Sequence, residues 1–448
     1  MGKQRLEHDS IGDMSVPEQA LYGAQTARAI ENFPISGVRF QRSFVKALAL
    51  IKAMAARVNG RRGTLSKAKG DAIESAALKV AQGEYDDQFV LDVFQTGSGT
   101  STNMNANEVI GHIAQAHPND DVNRGQSSND VIPTALNLAV IEEITGVLLP
   151  AMQTLALALA DKATEFDHII KIGRTHLQDA VPMRLGQEFS GYARQVELAG
   201  ERIEAALRGM YELPLGGTAI GTGLNAPPGF AHDVIEELAE YTGQPLREAS
   251  NHFEAQAARD AAVFVSAALR NYALGLTKIA NDLRWLASGP RAGLGEISIP
   301  AVQPGSSMMP GKVNPVIAES VLMVCAQIVG HDSAIAWCGA AGNLELNAMI
   351  PLIARNLIDS IQLLSAATLN FESKLIRGVE ANEERTADLV EHSLAMVTAL
   401  VPAIGYDRAA DIVKRASVES RTIRSVAEET SGLSKAELER LLDPALQT

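Results

Sequence analysis

The chain has 448 residues, of which 46% are hydrophobic, 21% charged and only 4% aromatic, and it carries a formal charge of −14. That balance describes a globular protein with a large core; the acidic surplus argues against nucleic acid or an anionic membrane as partner, but not against a small anionic substrate in a locally positive cleft. Two cysteines, Cys325 and Cys338, are too few for a disulfide framework or a four-thiolate cluster, so a reducing, cytoplasmic setting is expected.

The first residues, MGKQRLEHDS, contain no apolar run of the signal-peptide kind. No uninterrupted apolar stretch of about 18 residues follows, so no membrane span is expected. Residues 1–130 mix short helices with turn-rich loops. The stripe Val45, Leu48, Ile51 and Ala55 predicts a helix over 43–58, and 67–82 repeats the pattern. Residues 95–107 are rich in Gly, Ser, Thr and Asn and read as a polar loop, as does 117–130, HPNDDVNRGQSSND, with several good helix caps.

From Val131 the character changes. Helical patterns run over 133–166, 185–210, 228–242, 254–288, 315–337 and 351–371. The fourth, at 1.5 Å per residue, would span about 50 Å. Alternating β patterns are scarce. Long helices with short polar connections predict a mainly α protein built on a long central bundle, and helices apolar on more than one face predict a multi-chain helical core. The expected domains are 1–130 (mixed helix and loop), 131–371 (long-helix bundle) and 372–448 (a small helical domain).

Four segments are unusually polar for so apolar a chain: TGSGTST at 96–102, QSSND at 126–130, GRTHLQD at 173–179 and GSSMMPGKVNP at 305–315. Each joins hydroxyls or amides to glycine or a helix start, a combination that binds carboxylates or phosphates. One such cluster is normally a capped loop. Four at helix edges point to an anion site. The 305–315 segment is a shaped loop, punctuated by Gly305, Pro310 and Gly311, but it is no Walker loop: five residues separate its glycines, and Val313 stands where the metal-binding hydroxyl belongs. His176 taken alone fits a hydrogen-bonded core histidine, His117 a cap, and Met104, Met308 and Met309 packing. No zinc-type spacing occurs, and GxGxxG candidates at Gly97, Gly221 and Gly293 lack the last glycine. No metal or cofactor is expected.

Together these segments resemble the fumarase/aspartase superfamily over nearly the whole chain. The 305–315 loop is similar to its signature GSSxMPxKxNP. TGSGT at 96–100, QSSND at 126–130, NDLRWLASGPR at 281–291, GNLELN at 342–347 and IGYDRAADI at 404–412 resemble class II fumarase more than aspartate ammonia-lyase, which tends to carry GAGT and QSTND instead. STNMNANEVI at 101–110 is common to both.

The resemblance implies a hydro-lyase acting on a small dicarboxylate, fumarate or L-malate, without metal or organic cofactor. It implies a homotetramer whose active sites are each shared between three chains. Members of this superfamily abstract a proton next to a carboxylate and stabilise the resulting dianion with preorganised donors. By similarity Ser306 is the base, Lys312 and Asn314 hold the carboxylate, and His176, oriented by Glu319, handles the departing water. Ser98, Thr100, Ser127, Ser128, Asn129 and Thr175 would grip the substrate. Two departures stand out. The chain is short between Ile110 and His117, with Ala114 where an arginine often occurs, which puts in doubt a second dicarboxylate site at His117, Asn119 and Asp120. Met308 replaces an isoleucine, an apolar exchange of similar volume. The competing readings are an aspartate ammonia-lyase and a non-catalytic structural homologue; retention of Ser306, Lys312, Asn314, His176 and Glu319 together weighs against the second.

Overall fold

The structure is a computed structural model that describes residues 3–448. The chain opens on a hairpin, β1 (Gln4–Asp9) and β2 (Gly12–Pro17), in register from Gln4↔Pro17 to Asp9↔Gly12. Five helices follow: α1 (Ala24–Asn32), α2 (Arg42–Arg61), α3 (Lys67–Gln82), α4 (Thr100–Ala114) and α5 (Ser128–Glu143). A π-helical turn, Ile144–Leu148, carries α5 into α6 (Leu149–Glu165). A second hairpin, β3 (Ile170–Thr175) and β4 (Gln178–Arg184), precedes α7 (Leu185–Leu207) and α8 (Phe230–Thr242). Then come the short α9 (His252–Ala257), and α10 (Asp260–Leu286), α11 (Val316–Gly339) and α12 (Ile350–Lys374). The tail folds as α13 (Glu383–His392), α14 (Val401–Ile404), α15 (Tyr406–Glu419), α16 (Ile423–Thr430) and α17 (Lys435–Leu441).

Three expectations change. Residues 95–107 are not all loop, because α4 starts at Thr100. Its first two turns bury the amides Asn103, Asn105 and Asn107, and the aliphatics Val109 and Ile110 are buried only beyond them. The pattern over 254–288 is two helices, with Ala258 extended at φ −98°, ψ 156° between them. Nothing in the local propensities of Ala258 or Arg259 demands that break. Tertiary contacts do: Gln256 Nε2 donates to Thr218 O at 2.8 Å, and Gly342 packs so tightly on Ala257 O that a Cβ there would fall 2.5 Å away. By length and composition, α11 and the stretch Ser128–Glu165 are apolar enough to cross a membrane even though charged residues interrupt them. Most of the apolar stretch in Ser128–Glu165 is buried inside the fold, whereas α11 leaves Met323 and Trp337 69% and 78% exposed.

The chain packs as two units, each interleaved along the sequence. The first gathers residues up to Pro150, Glu201–Ala273 and Cys325–Ser365. Its core surrounds α2, whose Phe44, Leu48, Ile51, Met54, Ala55 and Val58 are buried. α3 lies close against α2 because Gly60 and Gly70 meet: a Cβ on Gly70 would come within 3.0 Å of both Ala56 O and Gly60 Cα. The second unit gathers Ala151–Gly200, Leu274–Val324 and Ala366–Thr448. There the C-terminal helices close over Val390, Met396, Leu400, Ile412, Ile423, Val426 and Leu438, and Ile172 of β3 joins the same cluster.

Candidate active site

The first unit holds two of the four polar segments. In the 96–100 turn Gly97 has no room for a side chain, since a Cβ would lie 1.8 Å from Ala348 O, and its own carbonyl accepts from Ile350 N at 3.1 Å. Gly99, at φ 74°, caps α4. Between them Ser98 Oγ and Thr100 Oγ1 share a hydrogen bond of 2.8 Å. The two hydroxyls are thus fixed together at the start of a helix, where backbone N–H groups favour an anion. Gly97→Ala is expected to force the turn off Ala348 and cost about 1–3 kcal/mol, read as a lowered denaturation midpoint.

The second segment begins α5. Ser127 and Asp130 form a capping box: Ser127 Oγ accepts from Asn129 N at 3.2 Å, and Asp130 Oδ1 accepts from Ser127 N at 2.9 Å. Asp130 Oδ2 accepts from Gly216 N (3.1 Å) and Thr218 N (2.9 Å), which clamps the segment to its neighbours. Burial pushes this carboxyl above the ordinary range against the pull of those bonds. Ser128 Oγ accepts from Asn103 Nδ2 at 3.0 Å, and Asn129 Nδ2 donates to Ala219 O at 2.8 Å.

Beneath these loops lies a network that the sequence did not mark. Lys52, wholly buried on α2, donates to Asn123 Oδ1 and Gln126 Oε1, both at 2.9 Å. Asn103 Nδ2 and Asn107 Nδ2 reach the same Asn123 oxygen at 3.2 and 3.1 Å. The available signal was a lysine inside an apolar helical stripe. In the same unit His117 caps a π-helical turn, Pro118–Val122, with its Nδ1 accepting from Asn119 N (3.3 Å) and Asp120 N (3.0 Å). Asp120 Oδ2 lies 3.5 Å from that nitrogen. His117 and Asn119 border a cavity of about 730 Å³ that Arg5, Glu108 and His112 also line.

The second unit holds the other two segments. β3 and β4 pair from Ile170↔Arg184 to Thr175↔Gln178, and the turn between them is His176 (φ 55°) and Leu177 (φ 60°). Both residues are left-handed, as a two-residue hairpin turn requires, although neither is the glycine or asparagine that adopts this easily. Backbone strain of this kind collects at functional sites. Thr175 and His176 are exposed on the hairpin tip. An ion cluster anchors the strand below: buried Glu296 accepts from Arg174 Nη1 at 2.9 Å, while Lys171 Nζ lies 2.9 Å from Glu188 and 3.3 Å from the second Glu296 oxygen.

The 305–315 loop is closed at its neck. A Cβ on Gly305 would lie 2.0 Å from Lys312 O, and Asn314 Nδ2 donates to Gly305 O. Gly311, at φ 80°, turns the tip. Ser306 Oγ accepts from Met308 N (3.2 Å) and Met309 N (2.9 Å). Met308 is 81% exposed, so it does not pack within the chain as expected. Lys312 is exposed on the loop, and Glu319 is exposed in the first turn of α11. Among the described residues no hydrogen bond or ion pair joins His176 to Glu319, or the Lys312 ammonium to a carboxylate.

A family model described as lyase matches residues 12–330, and one described as fumarase C C-terminus matches 396–446. Class II fumarate hydratases from Mycobacterium tuberculosis and Xylella fastidiosa are 53% and 49% identical to this chain; the first match covers 98% of it and 95% of the relative, the second 100% and 96%. Among solved structures, a class II fumarase from Schistosoma mansoni has a TM-score of 0.96 at 40% identity, covering 99% of this chain and 98% of that one. A fumarate lyase:delta crystallin from Brucella melitensis bound to cobalt has a TM-score of 0.96 at 45% identity, covering 99% of each chain. The mainly α, fumarase/aspartase-like fold expected from the sequence is the one found.

Proposed function

The chain belongs to the class II fumarase family of the fumarase/aspartase superfamily, and from that premise we propose that it is a hydro-lyase interconverting fumarate and L-malate. One observation carries the reading at the level of chemistry: the oxygen of Ser306 accepts two backbone N–H bonds, from Met308 and Met309. Hydrogen bonds to the charged form of a group favour that form, so this is an environment for a serine that must give up its proton.

In the forward direction from malate, Ser306 Oγ removes the proton from the carbon beside one carboxylate. The electron pair enters that carboxylate, giving a dianionic aci form held by Lys312 and Asn314. The hydroxyl on the adjacent carbon then leaves, protonated through His176, as water, and the double bond of fumarate forms. Glu319 orients His176. The substrate's carboxylates are gripped by Ser98 and Thr100, by Ser127, Ser128 and Asn129, and by Thr175. The exposure of Thr175, His176, Lys312 and Glu319 supports a site completed by neighbouring chains, and the bare Met323 and Trp337 on α11 support a homotetramer with that helix at its centre. The two free, buried cysteines agree with a cytoplasmic location.

The test is the ultraviolet absorbance of fumarate's conjugated double bond. It is expected to rise when the purified protein meets L-malate and to stay flat with L-aspartate. A rise with aspartate alone would select the ammonia-lyase, and silence with both would select the non-catalytic homologue.

A further inference from the structure

The ammonium group of Lys52 is buried at 0% exposure, and among the described residues no carboxylate lies within ion-pair distance of it. A buried charge is ordinarily paired. Here the partners are two neutral amide oxygens, Asn123 Oδ1 and Gln126 Oε1, and Gln126 opens the segment that continues through Ser127, Ser128 and Asn129. From Asn123 the network passes to Asn103 Nδ2 (3.2 Å) and on to Ser128 Oγ (3.0 Å). The Oδ1 atoms of Asn103 and Asn107 are buried beside it without a partner. The ammonium group therefore has only neutral hydrogen-bond partners, and no carboxylate touches it directly.

We propose that Lys52 is a positioning residue, the buried cation behind the carboxylate-binding loop at 126–130, and that a carboxylate of the bound substrate is its missing counter-ion. This rests on reading that loop as a dicarboxylate site. The other charges around α2 are already engaged. Arg57 holds Glu74 of α3 and Glu237 of α8, Arg61 and Arg62 hold Asp233 of α8, and α4 faces Lys52 with the amides Asn103 and Asn107. Asp130 of α5 is the one charged group whose field reaches the lysine, and its oxygens are taken by three backbone N–H groups. Burial lowers the Lys52 ammonium to about 7. Near and above neutrality the empty site therefore holds a lysine that is partly or wholly uncharged. An arriving dianion favours the charged form, and one proton passes from solvent to Nζ.

The measurement is calorimetric titration with succinate, an unreactive four-carbon dicarboxylate, in two buffers of different ionisation enthalpy. It uses the full-length His176→Asn protein, which takes the site's imidazole out of the proton count. About one unit above the Lys52 midpoint, uptake of about half a proton per site is expected, the amount that a roughly tenfold preference for the charged form allows. Adding Lys52→Met removes that uptake and weakens succinate binding roughly tenfold at neutral pH, the scale of one unit charge at moderate distance. In the enzyme with His176 intact, Lys52→Met raises KM while kcat stays within about twofold, a split that a general loss of structure would not produce. Succinate binding without proton uptake, or uptake that survives Lys52→Met, overturns the proposal. Should Lys52→Met fail to fold, the proton count with Lys52 present decides by itself. Absence of both succinate binding and fumarate hydration would instead overturn the functional reading, and the inference with it.

Discussion

Ser306→Ala is expected to lower kcat for malate dehydration by about 10³-fold, within the range for losing a general base, with KM changed only a few-fold and the denaturation midpoint unmoved. The side chain contributes nothing to the core: it sits on a partly exposed loop, and its oxygen accepts only from Met308 N and Met309 N, which water satisfies once the hydroxyl is gone. Binding survives because the proposed carboxylate ligands lie elsewhere, on Lys312, Asn314 and the hydroxyl loops. Ser307, exposed one residue on, is the control, and its alanine variant should leave kcat within about twofold. Initial rates by absorbance, with circular dichroism to check folding, give the answer. Turnover of Ser306→Ala within tenfold of the unaltered protein would end its assignment as base.

Glu296→Ala should be the most damaging single change to stability, costing about 3–5 kcal/mol, the figure for stripping one member from a buried ion cluster. Glu296 is fully buried, and its removal leaves Arg174 without its 2.9 Å carboxylate and Lys171 with Glu188 alone. The backbone is tied in as well, with Glu296 N donating to Leu286 O (2.9 Å) and Asn382 N donating to Glu296 O (2.8 Å), so the loss is felt at several elements of the second unit. Because Lys171 and Arg174 belong to the strand that ends in Thr175 and His176, turnover should fall along with stability. Glu296→Gln, which keeps the shape and one acceptor, should lose less of both. An unfolding midpoint for Glu296→Ala within a degree or so of the unaltered protein would show the cluster to be inert.

Periodicity recovered the helices that bury aliphatic side chains. The pattern over 67–82 is α3 to the residue, and 43–58, 185–210 and 351–371 lie within or close to α2, α7 and α12. It failed over the first two turns of α4, which bury asparagines: Asn105 Nδ2 donates to Gln88 O at 3.0 Å, and Asn103 and Asn107 serve the Lys52 network. Amides that hydrogen-bond inside a fold look, in a sequence, like a solvated loop. It failed again at β1 and β2, where Val16 is the one buried side chain and the rest alternate between exposed and half-buried, so no continuous apolar face was there to read. Of the candidate site, the chemistry-bearing residues were legible because hydroxyls, glycines and one lysine cluster in short segments. Their local shapes were not. That His176 occupies a left-handed turn position, and that Ser306 accepts from the two residues beyond Ser307, depends on backbone angles that composition does not encode.

Pinning Gly305 against Lys312 and Asn314 also has a bearing on design. With its two limbs fastened where they leave the scaffold, the intervening stretch forms a self-contained cassette, so substitutions at Met308 or Met309 can retune what the tip touches without disturbing the anchorage. A residue inserted at the fastening itself would have the opposite outcome, prising the limbs apart and shifting Ser306 and Lys312 together.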